Sequence, residues 1–267
     1  MLASVAQSPV NKRRSLSSNT AECRAGKASG LDCSSCPVCY LCLPGSMSGA
    51  SRARLDSMDC ARRKVIAGER VYGEGEPFQY LHAVRSGTLK SSLTLTGGRE
   101  QVSGFHIAGE LVGFDGLASG RHASTTTALE DTELCPIPYA RLVALAPGHG
   151  GIQHIISRLL GREILRKHFL MMVLGSMSAH ERLGAFLMNW SNRYAVRGYS
   201  MREFHLRMSR ADIASYLGME LETVSRAFAT LRRQRLLEVH KRHIRIMDLD
   251  RFRHRFDMRL CRRECDF

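Results

Sequence analysis

Nine cysteines occur in this chain of 267 residues, and four of them fall within ten residues: Cys33, Cys36, Cys39 and Cys42. A lone cysteine is often a small buried apolar residue, but a group this dense in a protein with reduced thiols usually binds metal. Thiolates are ligands both for zinc, which four of them can surround, and for the irons of an iron–sulfur cluster. We therefore expect a metal centre here, with zinc and iron both open.

Composition and charge limit the function classes. The formal net charge of +14 favours a polyanionic partner, either a nucleic acid or an anionic membrane surface. No apolar run approaches the roughly 18 residues of a membrane span, and the first twenty residues lack the apolar segment of a secretion signal. We expect a cytoplasmic protein with no membrane segment. The sequence also lacks a glycine-rich phosphate loop, Gly-x-Ser-x-Gly and His-Glu-x-x-His, so we do not expect an enzyme.

The distribution of polar, apolar and turn-forming residues divides the chain into six segments. They are a disordered tail (1–30), a cysteine-rich loop with a short helix (31–62), a β-roll (63–150), a long helix (151–176), a winged helix-turn-helix (177–250) and a C-terminal tail (251–267). This organisation predicts the α+β class.

Short strands dominate the sequence between Val65 and about Pro138. Apolar runs alternate there with glycine-centred turns such as Ser86–Gly87 and Thr96–Gly98. Many short strands with a turn about every ten residues are typical of a barrel or roll. Pro147–Gly148 closes this domain.

Residues 152–174 have apolar side chains at intervals of three and four, which predicts one long helix. An apolar helix between two domains suits pairing in a two-fold homodimer. The residues that we expect at that interface are Ile156, Leu160, Glu163, Ile164 and Lys167. The alternative is a helix that packs only within its own chain. Ser178 and Glu181 then predict the capping box of a second helix, which ends near Tyr194.

The segment from Arg210 to Ala227 has the pattern of a helix-turn-helix. Counting from Arg210, the fifth residue, Ala214, is small where the two helices cross, and the ninth, Gly218, supplies the positive φ of the turn. The fifteenth, Val224, is β-branched and is expected between the helices. These constraints agree at one register, so we predict that the element binds DNA.

The second helix of this motif, from about Leu221 to Gln234, is predicted to lie in the major groove. Its exposed N-terminal residues are Glu222, Ser225 and Arg226. Arginine pairs with guanine O6 and N7, glutamate accepts from cytosine N4, and serine contacts a base edge or a phosphate. The alternative is an ordinary solvated helix face.

Residues 236–240 and 243–246 predict two strands joined at Lys241–Arg242, a small basic hairpin of the kind called a wing. Residues 176–267 contain 19 Lys and Arg against 11 Asp and Glu, a net charge of +8. The positive charge is therefore concentrated where DNA phosphates would lie.

A β-roll, a long helix and a C-terminal winged helix in this order resemble the cyclic-AMP receptor superfamily of bacterial transcription regulators. Three stretches are similar to its fumarate/nitrate-reduction regulator branch: Arg85–Lys90 (RSGTLK), Phe105–Asp115 (FHIAGELVGFD) and Ala179–Leu183 (AHERL). Glu222, Ser225 and Arg226 match the Glu-x-x-Ser-Arg of that branch. The resemblance covers about residues 31–250 and implies a cyclic-nucleotide-binding-like roll, a dimerisation helix and a DNA-binding domain.

The resemblance also assigns roles to the cysteines. The branch binds a [4Fe–4S] cluster with a Cys-x2-Cys-x5-Cys run and one distant cysteine in the roll, which implies Cys33, Cys36, Cys42 and Cys135 as ligands. Cys39 departs from this pattern, and Cys36, Cys39 and Cys42 form an alternative set of three. The remaining cysteines, Cys23, Cys60, Cys261 and Cys265, match nothing in the family pattern.

The family further implies how oxygen controls DNA binding. Without oxygen the cluster is intact, the long helices pair, and the homodimer binds a two-fold site similar to TTGAT-N4-ATCAA and contacts RNA polymerase. Oxygen degrades the cluster and weakens the pairing. The family has an acidic residue on the dimer helix where Lys167 stands here, so the charge that tunes pairing differs.

Other sensors on this fold are alternatives. A cyclic-nucleotide pocket would use Glu110 and Arg121, but His122 stands where such a pocket has a small hydroxyl residue. A haem sensor would take an axial ligand from His82, His106 or His122, although no Cys-x-x-Cys-His site is present. A structural zinc site in the cysteine stretch is the third alternative.

Overall fold

The chain between Arg63 and Pro138 folds into a roll of two four-stranded sheets, which confirms the predicted fold. The computed structural model describes residues 33–47, 49–58, 61–145 and 151–256. The strands of the roll are β1 (Arg63–Val65), β2 (Arg70–Tyr72), β3 (Tyr80–Ser86), β4 (Thr88–Thr94), β5 (Glu100–Ile107), β6 (Leu111–Val112), β7 (Thr125–Ala128) and β8 (Thr132–Pro138). One sheet has the order β1-β8-β3-β6, and the other has the order β2-β7-β4-β5.

Glycine and proline lie where this topology requires or tolerates them. Gly87, between β3 and β4, has φ +92°, and a Cβ there would lie 2.8 Å from the Cα of Thr132. Only glycine fits such a turn. β8 pairs with β1 only as far as Leu134, so Pro136 and Pro138 lie where β3 is the neighbouring strand. A proline, which has no N–H, is tolerated at such an edge.

Residues 33–47, hereafter the cysteine loop, cover one end of the roll together with α1 (Gly49–Asp56). Leu43 and Leu55 are fully buried and pack with Leu81 and Ile137 of the roll. The apolar residues therefore attach the loop to the roll. A short helix that was not predicted, α2 (Tyr139–Ala144), follows β8 and adds Leu142 to the same core.

The predicted long helix is α3 (Gly151–Ser176), and the predicted capping box of Ser178 and Glu181 begins α4 (Ala179–Val196). The first turns of α3 bury Ile152 and Ile156 in the core of the roll, whereas Phe169 and Val173 belong to the core of the C-terminal domain. The helix thus joins the two domains through one buried face.

The C-terminal domain is a winged helix-turn-helix. Its elements are β9 (Glu203–His205), α5 (Arg210–Tyr216), α6 (Leu221–Arg233), β10 (Leu237–His240), β11 (His243–Ile246) and α7 (Leu249–Phe256). The strands form a sheet of order β10-β11-β9, and Trp190 of α4 lies in the domain core. The predicted second helix and wing strands agree with α6, β10 and β11 to within one residue.

Two elements of this domain differ from the sequence prediction. The three residues of β9 extend the wing sheet, and α7 occupies part of the predicted tail over 251–267. The tail prediction is wrong for residues 251–256, because Phe252 and Phe256 are buried and Phe256 packs on Gly184. The predicted disordered tail over 1–30 and Cys23, Cys60, Cys261 and Cys265 lie outside the described residues. In the part of the chain that the structure describes, no helix is both long and apolar enough for a bilayer span.

Candidate DNA interface and metal centre

The helix-turn-helix has the geometry that its sequence predicts. Gly218 has φ +59°, and Ala214 and Val224 are buried between α5 and α6. Ser209 begins α5 with a capping box: its Oγ accepts a hydrogen bond from the amide of Asp212 (3.0 Å), and the Asp212 carboxylate accepts one from the amide of Ser209 (2.9 Å). Local hydrogen bonds therefore fix α5, and buried side chains hold α6 against it.

Glu222, Ser225 and Arg226 lie on the exposed face of the first turns of α6. The side chains of Glu222 and Arg226 are 78% and 69% exposed, and their charged ends approach to 3.3 Å. Ser225 Oγ donates a hydrogen bond to the Leu221 carbonyl (3.1 Å). An exposed ion pair of this kind contributes little to stability. These groups can therefore exchange their present contacts for base edges.

A groove of about 650 Å³ separates α6 from the wing, and its walls include Arg232, Arg233 and Arg245. The wing turn places Lys241 in the left-handed region with φ +54°, and Arg242 donates a hydrogen bond to the Arg207 carbonyl (2.9 Å). Basic side chains on both sides of a groove suit contacts to phosphates, which position a protein on DNA without reading sequence.

The cysteine loop brings its four thiols to one side. Hydrogen bonds between residues three apart join the amide of Cys36 to the Cys33 carbonyl (3.3 Å), Cys39 to Cys36 (3.1 Å) and Cys42 to Cys39 (3.2 Å). In backbone with this pattern, residues i and i+3 lie above one another. The spacing of three between successive cysteines therefore matches the local turns, and all four side chains line one cavity.

Cys135 meets this row from the roll. It lies on β8 opposite Ala83 of β3, and all five cysteines line one cavity whose other walls include Leu55, Val84 and Arg85. All five are free thiols. Within the described residues, no three His, Cys, Asp or Glu side chains surround a position suited to a single metal ion. The sequence-predicted thiols are thus brought together, with Cys39 among them.

Burial governs the chemistry of three of these thiols, Cys33, Cys42 and Cys135. It raises the pKa of Cys42 to about 12 and that of Cys135 to about 11. The pKa of Cys33 is also raised, by burial first and then by a hydrogen bond with Asp56. Arg62 and Arg85 act in the opposite direction on Cys135. Without a bound cation these sites favour the neutral thiol, and metal coordination is what deprotonates such a group.

The residues predicted for pairing of α3 fall into two groups. Ile156 is buried in the core of its own chain, and Leu160 is partly buried beside it. Further along, Ile164 is 55% exposed. Glu163 pairs with Arg166 instead of Lys167, and Lys167 donates a hydrogen bond to the Ser103 carbonyl (2.7 Å).

The groups that a nucleotide or haem sensor would use have other contacts. Arg121 donates a hydrogen bond to the Gly75 carbonyl (2.7 Å), and Glu110 is enclosed by arginines of α4. Burial lowers the pKa of His82 to about 3 and that of His106 to about 4. His122 lies 3.3 Å from the Asp115 carboxylate and stacks on the Tyr72 ring. These contacts account for Arg121, Glu110 and His122 as structural residues, and burial favours the neutral form of His82 and His106.

Sequence reasoning missed the junction around Glu110. This buried carboxylate binds Arg193 and Arg197, more than eighty residues away in sequence. In the sequence, Glu110 entered only as part of a resemblance to the family's roll and as a candidate residue of a nucleotide pocket. The available signal was an acidic residue inside an apolar strand pattern, which needs a cationic partner when buried.

Two family models match the chain: a cyclic nucleotide-binding domain over residues 62–147 and a Crp-like helix-turn-helix domain over residues 181–255. Together with the exposed face of α6, they define the class of this protein, a transcription regulator that binds DNA through its C-terminal domain. Among solved structures, that of FixK2 from Bradyrhizobium japonicum is similar with a TM-score of 0.67 and 29% identity, covering 74% of this chain and 98% of that one.

Curated relatives place the chain within that class. The transcriptional regulatory protein btr of Bordetella pertussis is 40% identical over 217 residues, which are 81% of this chain and 90% of that protein. The electron transport regulator A of Shewanella oneidensis is 37% identical, with 84% and 91% covered. The fumarate and nitrate reduction regulatory protein of Escherichia coli is 36% identical, with 82% and 88% covered. The chain belongs to the fumarate/nitrate-reduction regulator branch of the cyclic-AMP receptor superfamily, whose members named here are regulators and not enzymes.

Proposed function

We propose that this regulator responds to oxygen through a [4Fe–4S] cluster bound by Cys33, Cys36, Cys42 and Cys135. The observation that carries the proposal is the convergence of thiols from the cysteine loop and from β8 on one cavity. A four-iron cluster needs one thiolate for each iron. When bound, the cluster supplies the oxygen-reactive group.

The two sources of thiols differ in how firmly they are held. Cys135 belongs to a strand that is hydrogen-bonded to β3, whereas the loop thiols are held by single turns and by the apolar contacts of Leu41 and Leu43. A group bound across both sources ties the loop to the roll. Its loss releases the less firmly held partner, the loop, which makes the loop the element that a local chemical change moves.

A cluster and a single zinc ion make different demands on the same thiols. Zinc requires four thiolates at about 2.3 Å from one point, whereas a cluster accepts its thiolates at four separate irons. Five thiols from two segments share the cavity and can supply the four that a cluster needs. The similarity to the E. coli fumarate and nitrate reduction regulatory protein supports the same group.

Cys39 is the residue that distinguishes this loop from the family pattern. It follows Cys36 by one turn, on the same side of the backbone, and lines the same cavity. We assign the cluster to Cys33, Cys36 and Cys42 of the loop and keep Cys39 as the thiol that takes the place of Cys33 in the alternative set. Cys42 and Cys135 belong to both of the alternative ligand sets.

DNA binding by a pair of chains completes the proposal. Leu160, Ile164, Lys167, Met171 and Leu174 follow one another at intervals of four and three, and Met171 is 68% exposed. This spacing is the heptad seam of a two-stranded coiled coil, with Lys167 as its charged member. Two recognition helices would then read a two-fold site similar to TTGAT-N4-ATCAA in the cytoplasm, where the dimer contacts RNA polymerase.

Metal analysis of the full chain tests the proposal. The protein is purified without oxygen and reconstituted with iron and sulfide, and its iron, sulfide, zinc and absorption spectrum are measured before and after exposure to air. We expect about four irons and four sulfides per chain and a spectrum that bleaches in air. Zinc instead of iron, or no metal after reconstitution, would remove the cluster and leave DNA binding as the established function.

Serine variants test the assignment of ligands in the same assay. Cys135→Ser is expected to lose the cluster, and Cys39→Ser is expected to keep it. Cys33→Ser keeps a cluster if Cys39 replaces it, and Cys33→Ser/Cys39→Ser loses it. A full complement of iron in Cys135→Ser would contradict the site.

A further inference from the structure

The cysteine loop touches the DNA-binding domain of its own chain. Tyr40 Oη donates a hydrogen bond to the carbonyl of Val196, the last residue of α4 (3.0 Å). The neighbouring Leu41 is buried against Gly109, where a Cβ would lie 2.7 Å from the Cβ of Leu41. Tyr40 and Leu41 stand between Cys39 and Cys42, so any movement of these thiols moves both contacts.

Gly109 leads directly to the buried charge of Glu110. The carboxylate of Glu110 accepts hydrogen bonds from Arg193 (2.7 and 3.1 Å) and Arg197 (2.9 Å) of α4, and Arg166 of α3 lies 3.7 Å away. Burial alone would raise the pKa of this carboxyl, but the arginines hold it well below its usual range. A buried charge with several hydrogen bonds has a strict geometry, because removing one partner leaves the other unpaired.

Backbone hydrogen bonds join the same junction to the cysteine cavity. Val84, which lines the cavity, accepts a hydrogen bond from the amide of Gly109 and donates one to the carbonyl of Glu110, both at 2.8 Å. On the other side, Arg197 donates to the Ala108 carbonyl (2.6 Å). The wall of the cavity, the turn after β5 and the end of α4 are therefore in direct contact.

We propose that Tyr40 and Glu110 are positioning residues for DNA binding: through them, the cysteine loop sets the orientation of α4 within one chain. Since α6 packs on α4 in a shared core, the recognition helix follows. This coupling acts in addition to the pairing of two chains. Control of the loop by a bound cluster rests on the proposed function, whereas the contacts themselves do not depend on which group the thiols hold.

Two conservative variants with matched controls test the coupling. Tyr40→Phe removes one hydroxyl, and Glu110→Gln removes one charge; Tyr199→Phe and Glu74→Gln change exposed residues of the same types. Hydrogen exchange of residues 193–199 is measured by mass spectrometry with the metal bound and after chelation. Metal content, sedimentation and affinity for the specific DNA site are measured on the same samples.

We expect Tyr40→Phe and Glu110→Gln to keep the metal content and sedimentation of the wild type while exchanging faster at residues 193–199. Their affinity for DNA should fall roughly two- to thirtyfold. Chelation should raise exchange at 193–199 in the wild type and less so in Tyr40→Phe, since the contact is already lost. A merely structural role of Tyr40 would leave the effect of chelation unchanged.

Any of three results would overturn the coupling. The first is that Tyr40→Phe has the same hydrogen exchange and DNA affinity as Tyr199→Phe. The second is that chelation raises exchange in Tyr40→Phe as much as in the wild type, and the third is that chelation does not change exchange at 193–199 in the wild type. Tyr40→Phe decides the question even if Glu110→Gln does not fold. A wild type that binds no metal defeats the proposed function by its metal analysis. The variants, compared as purified, then still decide whether Tyr40 holds α4.

Discussion

The reading face of α6 and the thiols of the cysteine loop depend on very different amounts of the chain. Glu222, Ser225 and Arg226 are exposed and are positioned by contacts inside one short motif. Cys33 is buried and the other four thiols are half-buried, and their convergence needs the loop, β8 and the packing of the roll. Specificity for DNA can therefore change by substitution of exposed side chains, whereas the grouping of the thiols is kept only when distant segments remain compatible.

The largest expected effect follows from breaking the packing of the loop. Leu43 is fully buried next to Cys42, so Leu43→Ala should lower the free energy of unfolding of the roll by about 2–5 kcal/mol. Retention of metal should fall with it, because the thiols lose their support. Denaturant unfolding and iron analysis check this. Leu93→Ala, at a position 40% exposed, is the control and should change stability by less than about 0.5 kcal/mol. Equal behaviour of the two variants would contradict the role assigned to loop packing.

A smaller effect, confined to the other region, is expected on α6. Arg226→Ala should weaken binding to the specific site by about 1–3 kcal/mol and relax the preference at one base pair, with metal content unchanged. Arg233→Ala is the matched control, since a phosphate contact weakens binding to all sequences alike and lowers the salt dependence. Competition binding with substituted sites measures both. A preference that survives in Arg226→Ala would remove this residue from base reading.

The difference between the two regions also explains what the sequence could predict. The register of the helix-turn-helix followed from Ala214, Gly218 and Val224, because each constraint acts within a few residues. The ligand set implied by the resemblance fell on residues that the structure does bring together. However, Cys39 departs from the family's cysteine pattern, and only the backbone turns of the loop show that its thiol lines the same cavity as the other three.

Contacts between distant segments were beyond sequence reasoning. The bonds from Glu110 to Arg193 and Arg197 join side chains whose types are common on surfaces, and only the fold shows that the carboxylate is buried. Helix α7 was missed for a similar reason. Its eight residues include four basic ones, and the burial of Phe252 and Phe256 depends on α4. Where a partner lies far along the chain, residue type alone does not identify it.

The smallest predicted effect concerns Asp212, which joins the helix-turn-helix to the roll. It caps α5 through Ser209 and also accepts a hydrogen bond from Lys90 of β4 (2.9 Å). Burial works against its charge, but the hydrogen bonds from Ser209 and Lys90 hold the pKa of this carboxyl below its usual value. The stabilisation is therefore complete above the unfolded carboxyl pKa of about 4 and is lost as the pH falls through the lower folded value.

Asp212→Asn should thus lower the free energy of unfolding by about 1 kcal/mol near neutral pH. The difference in this free energy between the variant and the wild type should narrow below about pH 4. Denaturant unfolding at several pH values measures it, with the exposed Asp250→Asn as control. Lys90→Met removes only the contact from the roll and leaves the cap of α5 intact. Its loss in free energy of unfolding, compared with that of Asp212→Asn, therefore separates the contribution of the contact between domains from that of the cap. A difference that is constant with pH would mean that the charge of Asp212 contributes nothing. A cost of Lys90→Met close to zero would mean that the contact between Lys90 and Asp212 adds nothing to stability.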